Sequence, residues 1–210
     1  MTEHQSLNTV VHAAFRRDLA RYDAALAEFP SGSQQRADDL KRAWDFFDEE
    51  LHHHHTYEEE YFWPALQQTD ADLSAMSELD AEHEAMRAAL EEATAAMSSF
   101  QADPSADRAA AARGSVAHLR EVLIGHLVHE ERDLEPVSVH YADSAPMKAA
   151  LKQVKKAHLR SMGNFVLWLQ DGATAEDLAG LRGEMPGPVI WVFGTVAGRR
   201  YRRDIAPVWS

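Results

Sequence analysis

Histidine is the residue type whose number and spacing indicate chemistry in this chain. The 210 residues include 12 histidines, and four of these are consecutive, from His52 to His55. Polar residues also stand where the helical periodicity calls for apolar side chains: His12, His54, Glu58, His83, His126 and Glu130. Burying an imidazole or a carboxylate without a partner is costly. Six such exceptions therefore predict a functional site.

The spacing of these residues occurs twice along the chain. His54 and Glu58 are four residues apart and a proline follows six residues later, and His126 and Glu130 repeat this pattern 72 positions further on. His12 has a counterpart 71 positions later, at His83. The repeat predicts two helical hairpins, each contributing one histidine and one His-x3-Glu motif. Packed with approximate two-fold symmetry, the hairpins would bring two equivalent ligand sets together.

The chemistry that these residue types favour is the binding of two metal ions. A histidine and a glutamate four residues apart lie on one face of a helix, so the imidazole can bind one ion while the carboxylate bridges to the next. The chain has no cysteine, which excludes sulfur ligands from cysteine. Imidazole together with carboxylate favours two non-haem iron ions over manganese or mixed metals, with coordination positions left open for a small ligand.

Four amphipathic helices are needed to position these residues. Apolar residues recur at steps of three and four over 12–29, 40–65, 76–97 and 116–137, and this is the pattern of helices with one buried face. Asp103-Pro104 is a candidate start for the fourth helix, Gly114 a candidate interruption within it, and Pro64 ends or kinks the second. Strand signals are scarce. We predict an all-α protein in which residues 1–146 form an antiparallel up-down four-helix bundle.

Residues 147–210 are predicted to form additional C-terminal helices. A fifth amphipathic helix spans 151–169, Thr174 opens a short helix that fails before Pro186, and Pro188 starts a last one. The favoured interpretation is a helical extension that packs on the bundle, because uncovered apolar surface is unusual on soluble proteins. The alternative is an interaction element that binds a protein partner, forms a homodimer or touches an anionic membrane surface.

Residues 1 to about 140 resemble the hemerythrin-like, or HHE cation-binding, family. The ordered set His, His-x3-Glu, His, His-x3-Glu carries the resemblance, in the segments Val11–Leu19, His54–Leu66, Glu82–Glu84 and His126–Glu131. The resemblance implies a hemerythrin-like bundle and two iron ions joined by an oxo or hydroxo bridge. It also implies binding or sensing of oxygen, decomposition of peroxide, handling of nitric oxide, or help in repairing iron–sulfur clusters.

One position departs from the oxygen-carrying members of that family. They place a second histidine four residues after the third-helix histidine, and this chain has Arg87 there. The site thus resembles a variety with four histidines and two glutamates, in which one ion has an open position. This shifts the expectation from reversible oxygen carriage to reactivity with oxygen, peroxide or nitric oxide.

Several other residues have competing interpretations. His55 and Glu59 form a rival His-x3-Glu pair about 100° round the helix, and His52, His53 and His55 are predicted to be solvated or to support ligands. Four residues are candidates for contacting the metal ligands from outside the ligand set: Tyr22, Tyr61, Arg87 and His129. Asp133 is a candidate for an additional carboxylate ligand. His4, His118, His140 and His158 are predicted to be ordinary. The alternative to metal binding for the six residues is a structural role, in which buried His–Glu pairs stabilise the bundle.

Charge and hydropathy limit the partners. The net charge is −13, with −18 in residues 1–147 and +5 in residues 148–210, and such an acidic bundle argues against nucleic acid. The apolar run Val189–Ala197 is too short to span a bilayer, and the N-terminus lacks a signal-peptide pattern. We therefore expect a cytoplasmic protein without a transmembrane segment.

The expected function is catalase-like or other chemistry on a small ligand. The alternatives are a sensor that acts through residues 147–210, and iron storage and delivery.

Overall fold

The computed structural model describes residues 5–210, so His4 and the N-terminal residues before it lie outside the described part. Ten α-helices occur in these residues: α1 Leu7–Ala27, α2 Gln34–Tyr57, α3 Trp63–Leu66, α4 Met76–Ala102, α5 Ala106–Asp133, α6 Glu135–Tyr141, α7 Ala145–His158, α8 Met162–Gln170, α9 Ala175–Glu184 and α10 Gly187–Val192. Wider π-helical turns span Glu58–Phe62, Phe193–Ala197 and Tyr201–Ile205, and a 3₁₀ turn spans Ala206–Trp209. The predicted all-α class is confirmed.

The four long helices α1, α2, α4 and α5 form the bundle. Helix α1 packs on α2 and α5, and α4 packs on the same two helices. Short connections at 28–33 and 103–105 turn the chain back on itself, which makes sequential helices antiparallel. The interior away from the metal-binding residues is filled by large apolar side chains, among them Phe15, Leu19, Trp44, Phe47 and Leu123.

Local sequence signals explain where the helices begin. The Ser6 hydroxyl accepts a hydrogen bond from the Thr9 amide at 3.1 Å and caps α1. Helix α5 begins at Ala106 with Ser105 as its cap, two residues later than the predicted start at Asp103-Pro104. A serine hydroxyl can accept from the free amides of the first turn, and Pro104 precedes that turn. Gly114 lies inside α5 and does not interrupt it.

Helix α2 is followed by a π-helical turn at Glu58–Phe62, which ends two residues before Pro64. Proline has no amide hydrogen, and its ring clashes with the carbonyl group four residues earlier in a regular α-helix. The wider turn accommodates Pro64 and rotates the residues after Tyr57 relative to a continuing α-helix. The predicted kink at Pro64 is therefore spread over the turn that carries Glu58 and Glu59.

The C-terminal helices share the main core with the bundle. Trp168 of α8 is fully buried, and its indole nitrogen donates to the buried Asp18 carboxylate of α1 at 2.7 Å. Leu181 and Tyr201 belong to the same apolar core. The fifth helix predicted over 151–169 is broken by a turn after His158, and Gly163 in α8 lies so close to Ala197 that a Cβ there would overlap it. Within residues 5–210, no helix is long and apolar enough to cross a membrane.

Candidate metal centre

The six predicted metal ligands converge inside the bundle, and His55 joins them. The resulting seven residues, here called the central cluster, are His12, His54, His55, Glu58, His83, His126 and Glu130. All are buried except the nearly buried His54. Their ligand atoms fall into two groups, and within each group all the atoms lie within 4.8 Å of one another. One group is His12, His54, Glu58 and Glu130, and the other is His55, Glu58, His83 and His126.

The histidines of the repeat form two pairs, one from each hairpin. The Nε2 atoms of His12 and His54 are 3.2 Å apart. The Nε2 atoms of His83 and His126 are 3.3 Å apart. Each lone histidine thus faces the histidine of the His-x3-Glu motif in its own hairpin, and the sequence repeat is a repeat in space.

The two glutamates lie between the histidine pairs. Glu58 Oε1 is 3.1 Å from His54 Nε2, and its Oε2 is 3.5 Å from His83 Nε2. Glu130 Oε2 is 3.3 Å from His12 Nε2 and 3.8 Å from His126 Nε2. Each carboxylate therefore contacts both hairpins, which is the position that a bridge between two ions requires.

Carboxylates outside the central cluster hold the far side of three imidazoles. The Nδ1 atom of His12 is 2.9 Å from Glu131, that of His83 is 2.7 Å from Glu59, and that of His126 is 3.0 Å from Glu82. A carboxylate accepts from Nδ1–H, which leaves the Nε2 lone pair pointing into the cluster. Histidine ligands of metals are usually oriented in this way.

Two arginines extend this outer arrangement with the symmetry of the repeat. Arg16 donates two hydrogen bonds to Glu131, at 2.7 and 2.9 Å. Arg87 donates to Glu59 at 3.0 Å. Arg16 and Arg87 are 71 residues apart and Glu59 and Glu131 are 72 apart, so the offset of the histidines could have identified them. Arg87 thus supports His83 through Glu59.

The buried donor set fits cations. Both His83 and His126 direct Nδ1 toward a carboxylate. If both neutral rings carry the proton on Nδ1, the two Nε2 lone pairs face each other. If either ring carries it on Nε2, its Nδ1 lone pair faces a carboxylate. Both Glu58 oxygens, Glu130 Oε2 and His55 Nε2 are buried with no hydrogen-bond partner among residues 5–210. Positive ions between these atoms would satisfy all of them.

The ionisation of the metal-free cluster follows from burial and from neighbouring charge. Burial alone lowers the pKa of His12, but the carboxylates of Glu130 and Glu131 outweigh it and raise the pKa to about 9. Burial raises the pKa of Glu58 well above its usual value, and the nearby Glu130 adds to the shift. Burial also raises the pKa of Glu130, but His12 outweighs this effect and holds it below its usual value. Metal-free, the cluster favours a charged His12–Glu130 pair and a protonated Glu58.

His55 is the residue that the sequence interpretation misplaced. It was predicted to be solvated or to support a ligand, but it is buried, with its ring centroid 4.5 Å from that of His83 and 5.7 Å from that of His126. Its counterpart in the repeat, 72 residues later, is Leu127. The central cluster therefore holds five imidazoles instead of four, and one half has an imidazole that the other half lacks.

The remaining candidates lie outside the cluster at different distances. His129 is 2.7 Å from Glu82, the carboxylate that holds His126, and 3.2 Å from Asp133. Tyr61 packs beside Tyr57 at a ring distance of 6.1 Å. Tyr22 is buried against Trp44 and Trp209, further along the core.

Of the other histidines, His52, His118 and His140 are exposed, and His53 is half-buried against His158. His158 was predicted to be ordinary. It is instead buried, with polar groups around it.

A small cavity lies beside the cluster, between α2 and α4. Its volume is about 90 Å³, and its lining includes His55, Glu59 and Arg87 with the apolar Leu51 and Met86. This volume accommodates a few water-sized molecules. The cavity therefore places space for small molecules beside the part of the cluster that contains His55.

The carboxylates of Glu59 and Glu131, which contact imidazoles from outside the cluster, lead to a prediction about metal affinity. Replacing Glu59 or Glu131 with alanine is expected to lower metal affinity by about 10–100-fold, because His83 or His12 loses the acceptor that orients its ring. Chelator competition on the metal-loaded protein measures this change. Glu84→Ala is the matched control, since Glu84 contacts Arg87 at 2.8 Å from an exposed position. Equal losses in all three variants would contradict the specific role of Glu59 and Glu131.

The bundle and its buried histidine–carboxylate cluster define a helical metal-binding protein. The family model of the hemerythrin HHE cation-binding domain matches residues 9–138, and a second, overlapping match covers residues 74–184. The chain belongs to this family. The second match begins close to α4, as expected if the second hairpin repeats the first. No curated protein and no solved structure matches the chain significantly.

Proposed function

We propose that the protein holds two non-haem iron ions in the central cluster and that these ions bind or react with a small molecule. Oxygen, peroxide and nitric oxide are the candidate ligands, and decomposition of peroxide is the enzymatic form of the proposal. The observation that carries it is a set of three carboxylate oxygens between two facing histidine pairs: both Glu58 oxygens and Glu130 Oε2 are buried without a hydrogen-bond partner among residues 5–210. This mixed nitrogen and oxygen set without sulfur favours iron over softer metals.

Each part of the chain has a distinct task in this proposal. The imidazoles and the two glutamates hold the ions, and the outer carboxylates fix the rings. When bound, two irons supply electrons to, or accept them from, the small molecule. Leu51 and Met86 line the neighbouring cavity with apolar surface and restrict water. Arg87 places a cation in the same lining, which favours entry of anionic forms of a ligand.

Metal binding is expected to depend on pH. Metal-bound imidazoles and carboxylates are deprotonated, whereas metal-free His12, with a pKa of about 9, carries a proton at neutral pH. Affinity should therefore rise between pH 6 and pH 8, by about tenfold per unit for each proton displaced. Calorimetry in buffers of different ionisation enthalpy counts the released protons. An affinity that is constant over this range would contradict the assignment of His12 as a ligand.

Iron analysis combined with optical spectroscopy tests the proposal directly. About two irons per chain and an absorption band from a bridging oxygen ligand are expected, and added azide, peroxide or nitric oxide should change the spectrum. Oxygen evolution from peroxide, with the iron retained, supports the enzymatic form. A protein that binds no iron under reducing, anaerobic loading would overturn the proposal.

A sensor function is the second candidate, and one packing contact favours it. The Phe15 ring lies 5.5 Å from the ring of His54 and 5.1 Å from that of Trp168, so it connects the cluster with the C-terminal helices. In this case ligand binding without turnover changes protease sensitivity within residues 147–210. Iron storage or delivery, the third candidate, predicts instead that chelators remove the metal readily.

A further inference from the structure

A second group of metal-binding side chains lies between α2 and α7. Glu50, His53 and His158 offer one ligand atom each, and these atoms lie within 4.8 Å of one another. Glu50 and His53 are three residues apart on α2 and so share one face of the helix. His158 ends α7 in the C-terminal extension. The group shares no residue with the central cluster.

The polar atoms of this group lack the partners that their burial requires. Only 3% of Glu50 and 4% of His158 is exposed. In the part of the chain that the structure describes, His158 Nε2 and His53 Nδ1 are buried without any hydrogen-bond partner. Glu50 Oε2 is 3.9 Å from His158 Nε2, which is too long for a hydrogen bond. Buried polar atoms are normally satisfied, so these two imidazole nitrogens beside the Glu50 carboxylate call for a partner.

The surroundings orient His158 as a ligand. The Tyr57 hydroxyl is 3.2 Å from His158 Nδ1. When Nδ1–H donates to the hydroxyl oxygen, the Nε2 lone pair points to Glu50 and His53, as in metal sites where an outer group fixes the tautomer. Tyr57 also stacks on His53, with ring centroids 5.7 Å apart and an interplanar angle of 3°. Phe165 closes the other side of His158 at 4.8 Å.

We propose that Glu50, His53 and His158 form a mononuclear site for a divalent cation of the zinc type. Two imidazoles and one carboxylate are a donor set that zinc takes in proteins, with a fourth position left for water or another ligand. Each donor atom needs to move inward by less than about 1 Å to reach a normal zinc distance of about 2.0–2.2 Å. A bound ion would link α2 of the bundle to the end of α7 and so fix the extension in place.

The surrounding charge is consistent with this site. Burial raises the pKa of Glu50 to about 8 and lowers that of His158 to about 4. Near neutral pH both groups therefore remain uncharged and do not form an ion pair. A divalent cation that displaces the Glu50 proton gives the buried carboxylate an opposite charge at close range.

The test counts zinc and iron separately in the full chain. Iron-loaded protein is incubated with a small excess of zinc, desalted and analysed for both metals. The wild type is expected to hold one zinc more per chain than Glu50→Gln and His158→Gln, while all three retain the same iron. Glu50→Gln preserves the side-chain size and an uncharged group, so it keeps the test valid if His158→Gln fails to fold. His52→Gln is the control for adventitious binding to the exposed part of the histidine run.

Two outcomes overturn the proposal: equal zinc in the wild type and in both variants, or loss of the extra zinc in His52→Gln as well. The difference of one zinc does not depend on how many ions the central cluster holds. Failure of the di-iron proposal would appear in the iron count, and failure of this proposal in the zinc difference between matched variants.

Discussion

Replacing Glu58 with alanine is expected to abolish metal retention without destabilising the metal-free fold. The carboxyl group contacts both histidine pairs, so in the proposed two-ion site its loss removes a ligand to both ions. In the metal-free protein, the buried Glu58 oxygens have no hydrogen-bond partner among the described residues. Its removal therefore relieves the cost of burying an unpaired polar group and breaks no hydrogen bond. Iron per chain should fall from about two to near zero after desalting, while the thermal midpoint of the metal-free protein stays the same or rises.

Loss of the metal without loss of stability distinguishes a metal site from the alternative in which buried His–Glu pairs stabilise the bundle. A buried pair that supports the bundle would cost about 3–5 kcal/mol of unfolding free energy when one partner is removed. Metal analysis and thermal melts of the same metal-free preparations make the distinction. Glu60→Ala is the control, because Glu60 is exposed in the same π-helical turn. A Glu58→Ala protein that keeps its iron, or that melts far below the metal-free wild type, would contradict the assignment.

Glu130→Ala provides a contrasting case on the opposite hairpin. It should also lose the metal, but it removes the carboxylate that stabilises the positive charge on His12. The metal-free protein should then lose stability at pH 7, where His12 is charged. The pKa of His12 is raised by folding, so this contribution is present at low pH and is lost as pH rises through about 9. The stability difference from wild type should shrink at higher pH.

Most of the fold and six of the seven cluster residues could be predicted because both depend on periodicity. A polar residue at a position where the helical periodicity predicts an apolar one is visible in the sequence. The offset of 71–72 residues then shows which residues of the two hairpins correspond. The same offset also contained Arg16, Arg87, Glu59 and Glu131. Arg87 and Glu59 were candidates on other grounds, whereas Arg16 and Glu131 were not, because exposed or half-exposed charges do not violate the apolar pattern.

The residues that could not be predicted depend on geometry that periodicity does not contain. His55 is 100° from the ideal stripe and lies in the regular part of α2, three residues before the π-helical turn. It joins the cluster because α4 and α5 bring His83 and His126 within 4.5 and 5.7 Å of its ring, and the periodicity of α2 does not contain that packing. Tyr22 shares the stripe with His12 yet lies ten residues, or about 15 Å, further along the axis. His158 reaches Glu50 and His53 from a separate helix. Only the packing of α7 on the bundle brings these three together.

The fifth imidazole leads to the prediction with the second large effect. His55→Leu gives α2 the residue that the second hairpin has at Leu127, where leucine is fully buried and packs in the core. The variant is therefore expected to fold. It loses a donor only from the group formed with Glu58, His83 and His126. The ion held by that group should therefore bind more weakly, while the other ion remains bound. Loss of an outer partner alone costs about 10–100-fold in affinity, and loss of a direct donor should cost at least the upper value.

Chelator titration with iron spectroscopy measures this effect. The wild type should show two distinct iron environments, because only one half of the cluster has the additional histidine. The variant should release one iron at chelator concentrations that the wild type resists, and its two environments should become more alike when both ions are supplied in excess. His52→Leu is the control from the exposed part of the histidine run. If His55→Leu binds both irons as tightly as wild type, His55 only lines the cavity, and the four-histidine, two-glutamate set is the complete one.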